Sequence, residues 1–128
     1  MAVLNQNLRT QYQGFAVDQT VVAGTDPTSS GASLVAAKTN CTVYVTHISV
    51  STTTDNAATL TFQDTADTPV LIAKTKASPG LIQQVWEFGD DGTAITANKA
   101  LSVVGSAAGL AARVHIEGYY KPSQVFSV

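Results

Sequence analysis

His47 and His115 are the two residues best suited to acid–base or metal chemistry, because imidazole changes charge near neutral pH and ligates transition metals. A zinc site needs further ligands at workable spacing. The sequence has no close histidine pair such as HxH, and Cys41 is its only cysteine. Both histidines therefore read as polar residues on strand faces. Asp90-Asp91-Gly92 has the look of a calcium loop, but such a loop places oxygen ligands at alternating positions and closes on a glutamate. Residues 93–101 contain no carboxylate, so the acidic run reads as a tight turn. Glu87 and Glu117 are the only glutamates. A glycosidase would hold two carboxylates about 5–9.5 Å apart in a cleft, and no third group stands ready to perturb this pair. Ser49, Ser51 and Ser102 fall in strands rather than in a nucleophile elbow. Gly105, Gly109 and Gly118 are too far apart for a dinucleotide loop. No catalytic residue, cofactor or metal ligand is assigned, and the chain is expected not to be an enzyme.

The elements that would carry these residues are β-strands. The reading centres on Thr42–Gln63, where TVYVTHISVS and TLTFQ flank the polar segment TTTDNAA. The β-branched density of the first run fits a strand and fits a helix poorly. The reading is a hairpin with its turn at Asp55-Asn56. In its first strand, strict alternation sends Val43 and Val45 one way and Tyr44, Ile48 and Val50 the other. In its return strand, Ala58, Leu60 and Phe62 face inward. Further strands are expected at Phe15–Ala23, Leu34–Ala37, Val70–Lys74, Leu81–Phe88, Ala100–Val104 and Ala112–Tyr120. Thr93–Asn98 is open between an irregular strand and a helical turn. Turn signals punctuate the chain at Asp26-Pro27, Ser78-Pro79-Gly80, Gly89–Gly92 and Lys121-Pro122. About eight short strands without a long helix predict an all-β, single-domain antiparallel β-sandwich of jelly-roll type. An immunoglobulin-like sandwich is the second choice, but the Cys…Trp…Cys spacing is absent. The domain is expected to span 15–122, with an extended N-terminal arm at 1–14 and a C-terminal tail at 123–128.

A chain of 128 residues suits one domain with a core that needs no disulfide or metal. Charged residues make up only 12% of it, about half the usual share, and Thr, Ala, Ser and Val take their place. A surface of this kind desolvates easily and suits packing against protein. Net charge is −2 and the basic residues are scattered, so nucleic acid is not an expected partner. No apolar run approaches a membrane span, and MAVLNQNLRTQYQ lacks the signature of a signal peptide. Synthesis in a cytoplasm is the expectation. Leu4, Leu8 and Tyr12 recur at a spacing of four, yet the dense Asn and Gln around them favour an extended arm.

Aromatic residues gather at the two ends of the sequence. Tyr119 and Tyr120 are adjacent in a strand and cannot both point inward, so at least one should meet a second surface. The candidate protein-interface residues in the N-terminal part are Leu4, Leu8, Arg9, Tyr12 and Phe15. In the C-terminal part they are Tyr119, Tyr120 and Phe126.

NKALSVVGSAAGLAARVHIEGYYKP (Asn98–Pro122) resembles the final strands of small virion proteins of tailed bacteriophages. TVYVTHISVSTT followed by ATLTFQD shares the resemblance. Among those proteins are jelly-roll head decoration, or cement, proteins. The likeness covers roughly 15–122 and is one of style and strand order, without a diagnostic motif. It implies a homodimer or homotrimer that binds the major capsid protein on the outer surface of the virion and stabilises the shell. It brings no catalytic residues. The alternative is a head- or tail-fibre module that attaches to a host cell-surface glycan.

Overall fold

The computed structural model describes residues 12–23, 32–52, 59–66, 68–75, 83–106 and 110–122. Nine strands account for most of them: β1 (Gln13–Ala23), β2 (Ala32–Val35), β3 (Cys41–Thr52), β4 (Leu60–Asp64), β5 (Leu71–Lys74), β6 (Gln83–Glu87), β7 (Thr93–Ala94), β8 (Leu101–Gly105) and β9 (Leu110–Pro122). There is no helix among the described residues.

One sheet runs β1-β9-β3-β6, with the two-residue β7 also on β3, and the other runs β2-β8-β4-β5. Every pairing is antiparallel. The pairs are nested: β1 with β9, β2 with β8, β3 with β6, β4 with β5. The chain thus folds back on itself from its ends inward, and β9·β3 and β8·β4 roll that long hairpin into two layers. This is jelly-roll order, and the all-β sandwich read from the sequence is the fold observed. Val21, Val43, Ile48, Val114 and Ile116 from one sheet share a buried core with Leu34, Leu60, Phe62, Leu101 and Val103 from the other. Phe62 meets the Trp86 ring edge-on across the layers at 5.7 Å.

Three sequence expectations need correction. First, β3 and β4 are not a hairpin. β9 and β6 fill both edges of β3, and β4 pairs instead with β8 and β5 in the opposite sheet. The residues 53–59 between them form a link longer than the two to five residues of a typical hairpin loop. A polar connector after an apolar strand marks a reversal but not whether the chain stays in its sheet.

Second, Val43, Val45, Ile48 and Val50 all face the core. The register passes from Val45↔Gly118 to His47↔Glu117, which leaves Thr46 as an extra residue. This β-bulge resets the alternation by one. Thr46 is held by its hydroxyl on the Glu117 carbonyl (3.1 Å) and by the Phe88 amide on its own carbonyl (2.9 Å). Two apolar half-strands of opposite parity are thereby delivered to one face.

Third, β1 begins at Gln13, so Gln13 and Gly14 pair with Tyr120 and Tyr119 rather than belonging to an arm. Residues 1–11 and 123–128, which contain the rest of the arm and the whole tail, lie outside the described residues. Thr93-Ala94, which the sequence left open, is a short strand opposite Tyr44 and Val45. The alternation read in β9 holds from Ala112 to Tyr120.

Candidate functional site

The outer face of the five-stranded sheet collects most of the chemistry-bearing side chains. Antiparallel register sets them in rows across β1, β9, β3 and β6. One row is Ala16, Glu117, His47 and Glu87; the next is Asp18, His115, Ser49 and Val85; the third is Thr20, Arg113, Ser51 and Gln83.

The first two rows bring both histidines together. Their rings lie 5.8 Å apart, edge to face. His47 Nδ1 contacts Glu87 Oε1 at 2.6 Å, and His115 Nε2 contacts Glu117 Oε2 at 2.8 Å. The only two glutamates of the sequence therefore each hold one of its two histidines. The His115–Glu117 pair follows from period two on one strand, but 40 residues separate His47 from Glu87, so spacing gave no hint of that pair. No group of three or more His, Cys, Asp or Glu side chains among the described residues is arranged to hold a metal ion. Ser49 sits across from His115 in register.

Beyond this cluster, toward the Ser51 row, the face dips into a shallow hollow of about 210 Å³ lined in part by Asp18, Ser49, Ser51, Gln83, Val85 and Arg113. The dip follows from side-chain length. Serines at alternate positions of β3 form a low floor, while Arg113 and His115 on β9 and Gln83 and Val85 on β6 stand as walls. Arg113 Nε reaches Asp18 Oδ1 at 3.3 Å, an exposed pair worth about 0–1 kcal/mol.

At the opposite end of the same face, Tyr119 is stacked between Tyr44 (5.1 Å) and Tyr12 (5.7 Å). Its hydroxyl donates to the Asp91 carbonyl at 2.6 Å, in the turn that Gly92 N closes on Gly89 O. Lys121 Nζ lies 5.7 Å from the centre of the Tyr44 ring. Tyr119 is only 1% exposed although it points away from the core. The second surface anticipated for the Tyr119–Tyr120 pair is thus supplied by the chain itself, and Tyr119 offers a partner no area. Tyr120 turns to the core side, tilted against Phe15 at 5.4 Å, with its hydroxyl on the Ala36 carbonyl (3.0 Å). Lys38 Nζ lies over the Tyr120 ring and binds the Gln13 side-chain oxygen. Tyr12, Phe15 and Tyr120 are all half-buried by these contacts. Leu4, Leu8, Arg9 and Phe126 lie outside the described residues.

Burial pushes the Tyr119 phenol up to about 12, and the neighbouring Tyr44, Asp91 and Tyr12 act in the same direction. Burial also raises Tyr120, with a smaller push from Cys41. Because the folded-state value of Tyr119 exceeds its ordinary 10.0, its contribution to stability is complete below pH 10.0 and fades as pH climbs toward about 12. Tyrosinate absorbance should show a late-titrating phase to which Tyr119 and Tyr120 both contribute, and Tyr119→Phe should remove the latest part of it. The same substitution should cost about 1 kcal/mol through the lost hydrogen bond, and the alkaline fall in melting temperature should become shallower.

Comparison with known proteins finds no family model and no curated relative that matches the chain.

Proposed function

We propose that this chain is a structural virion protein that binds the outer surface of a bacteriophage capsid as a dimer or trimer and stabilises the shell. What carries the reading is where its large exposed apolar side chains fall. Val22 (63% exposed) is on β1, Leu71 on β5, Val85 (60% exposed) on β6, and Val70 immediately precedes β5. All three strands stand at the ends of their sheets. Edge strands with apolar side chains are where a sheet protein meets a neighbour, and soluble folds ordinarily blunt them with charge. β1 extends over Gln13–Ala23 and carries one charged residue, Asp18. A sandwich with apolar edges and a thinly charged surface suits side-by-side packing in a lattice of subunits.

The test is cosedimentation of the purified chain with shells of its own phage that lack it. Binding that saturates at a fixed number of copies per shell, with a raised disruption temperature of the shell, is the expected result. A chain that stays in the supernatant at saturating concentration would rule the reading out. Val22→Asp combined with Leu71→Asp should leave the melting temperature of the free chain within a few degrees, because both side chains are solvent-facing. The pair should lower shell occupancy about tenfold or more, since each buries a charge in the contact.

A further inference from the structure

We infer that the hollow along β3 on the outer face of the five-stranded sheet is a binding site for a neutral sugar ring. The inference does not rest on the decoration reading, since the hollow is a feature of the single chain.

The floor points to the ligand first. Ser49 and Ser51 are half-buried between taller neighbours, and neither hydroxyl has a hydrogen-bond partner among the described residues. A strand face made only for packing would carry Val or Thr here, as the inner face of β3 carries Val43, Val45 and Val50. Two hydroxyls two residues apart on a strand lie roughly 6.7 Å apart along it. A pyranose ring can bridge such a distance with hydroxyls on different carbons.

The walls decide the class of ligand. Arg113 offers guanidinium donors beyond the one directed at Asp18, Asp18 offers acceptors, and Gln83 offers both. Exposed Val85 provides an aliphatic patch for the C–H face of a ring. An anion is disfavoured, because Arg113 is already paired with Asp18 and the neighbouring row adds Glu87 and Glu117. Among the side chains of this patch the carboxylates Asp18, Glu87 and Glu117 outnumber the one guanidinium, Arg113. An apolar ligand would strand the serine hydroxyls without partners. A hollow of about 210 Å³ has room for one ring rather than a chain. A ligand that both donates and accepts, carries no charge and has one apolar face meets all of these conditions. The site is open and small, so its affinity should be weak, with Kd on the order of 1 mM.

The experiment is a titration of the isotope-labelled full chain with methyl glycosides of glucose, galactose, mannose and N-acetylglucosamine, followed through backbone amide shifts. The expected result is saturable shifts at Ser49, Ser51, Gln83, Val85 and Arg113 with at least one of the four. Ser49→Val with Ser51→Val replaces the floor by strong strand formers, so the fold should persist and binding should weaken at least about tenfold. Asp18→Asn is the second variant and changes no packing; it should weaken binding by a smaller factor. Inorganic phosphate is the contrasting probe. Saturation by phosphate but by none of the four glycosides would make the site an anion site and overturn the inference. So would the absence of saturable shifts with all probes, or sugar shifts that survive the double valine substitution.

Discussion

Replacing Gly118 with alanine is expected to remove most or all of the folded protein. Gly118 lies in the middle of β9, across from Val45 of β3 and Phe15 of β1. A Cβ at this position would fall inside contact distance of the Tyr44 carbonyl oxygen, 3.1 Å from that carbonyl carbon and 2.7 Å from the tip of the Phe15 ring. The ring could swing aside, but the Tyr44 carbonyl is backbone of the central strand. It sits just before the bulge at Thr46, where the register has no slack. To admit one methyl group, β3 and β9 must part along one of the two longest ladders of the fold, or the bulge must move and turn His47 or Val45 to the wrong face. Either response should cost about 4 kcal/mol or more, a large share of the stability of a domain of this size. The measurement is soluble yield and the chemical-denaturation midpoint of Gly118→Ala. A variant that unfolds within about 1 kcal/mol of the parent would show that the strands yield here.

The second large effect is expected at Asp64, the last residue of β4, which is fully buried. Its Oδ1 accepts the amides of Ala66 and Val70, both at 3.1 Å, and its Oδ2 accepts the amide of Thr96 at 2.8 Å. One carboxylate thus ties Ala66 and Val70 to the segment after β7. Burial alone would raise its pKa, but hydrogen bonds from the Thr96 side chain and from the three amides outweigh burial and hold it below the usual 3.8. A carboxyl whose folded-state pKa is depressed contributes stability that is fully present above pH 3.8 and is lost as pH falls through the lower folded value. Asp64→Ala should cost about 3 kcal/mol at neutral pH, because three part-buried amides lose their acceptor together. Asp64→Asn keeps one oxygen but opposes an N–H to an N–H, and should fall between. The pH dependence separates this account from simple packing. The gap in unfolding free energy between the parent and Asp64→Asn should be constant above about pH 5 and narrow below pH 3.8. A gap that stays constant down to pH 2 would show that the charge is not what matters.

The all-β class and most strand positions were legible because period-two alternation is local. Ala112 to Tyr120 shows this well: each residue faces where the alternation puts it. The parity of β3 was not legible, since a bulge inserts a residue without changing composition, and Thr46 looks like any strand threonine. The partnership of strands was legible only as a class. TTTDNAA announces a reversal, while the choice of sheet depends on which edges β9 and β6 already occupy. The outer-face site was hidden for the same reason. His115 and Glu117 share a face of β9, but His47 and Glu87 join them only through the order β9-β3-β6, and Asp18, Ser51, Gln83 and Arg113 meet only through the order β1-β9-β3-β6. Parity along β1 and β9 places Asp18 and Arg113 on outer faces, which is as far as the sequence reaches. The aromatic ends were noticed, but that Tyr119 would be enclosed by Tyr12, Tyr44 and the Gly89–Gly92 turn required the geometry.

The pairing of β1 with β9 also governs when the protein can become itself during synthesis. Gln13 finds Tyr120, and Ala23 finds Leu110. A nascent chain must therefore emerge almost to residue 122 before its first strand has anywhere to go. β3 waits too, since β9 supplies its longest ladder. Until then β1 has no strand partner and β3 is paired only on the side of β6 and β7. Folding should wait for β9 and be slow for the domain's length, on the order of milliseconds to seconds. Before β9 is in place the chain should be most prone to aggregate.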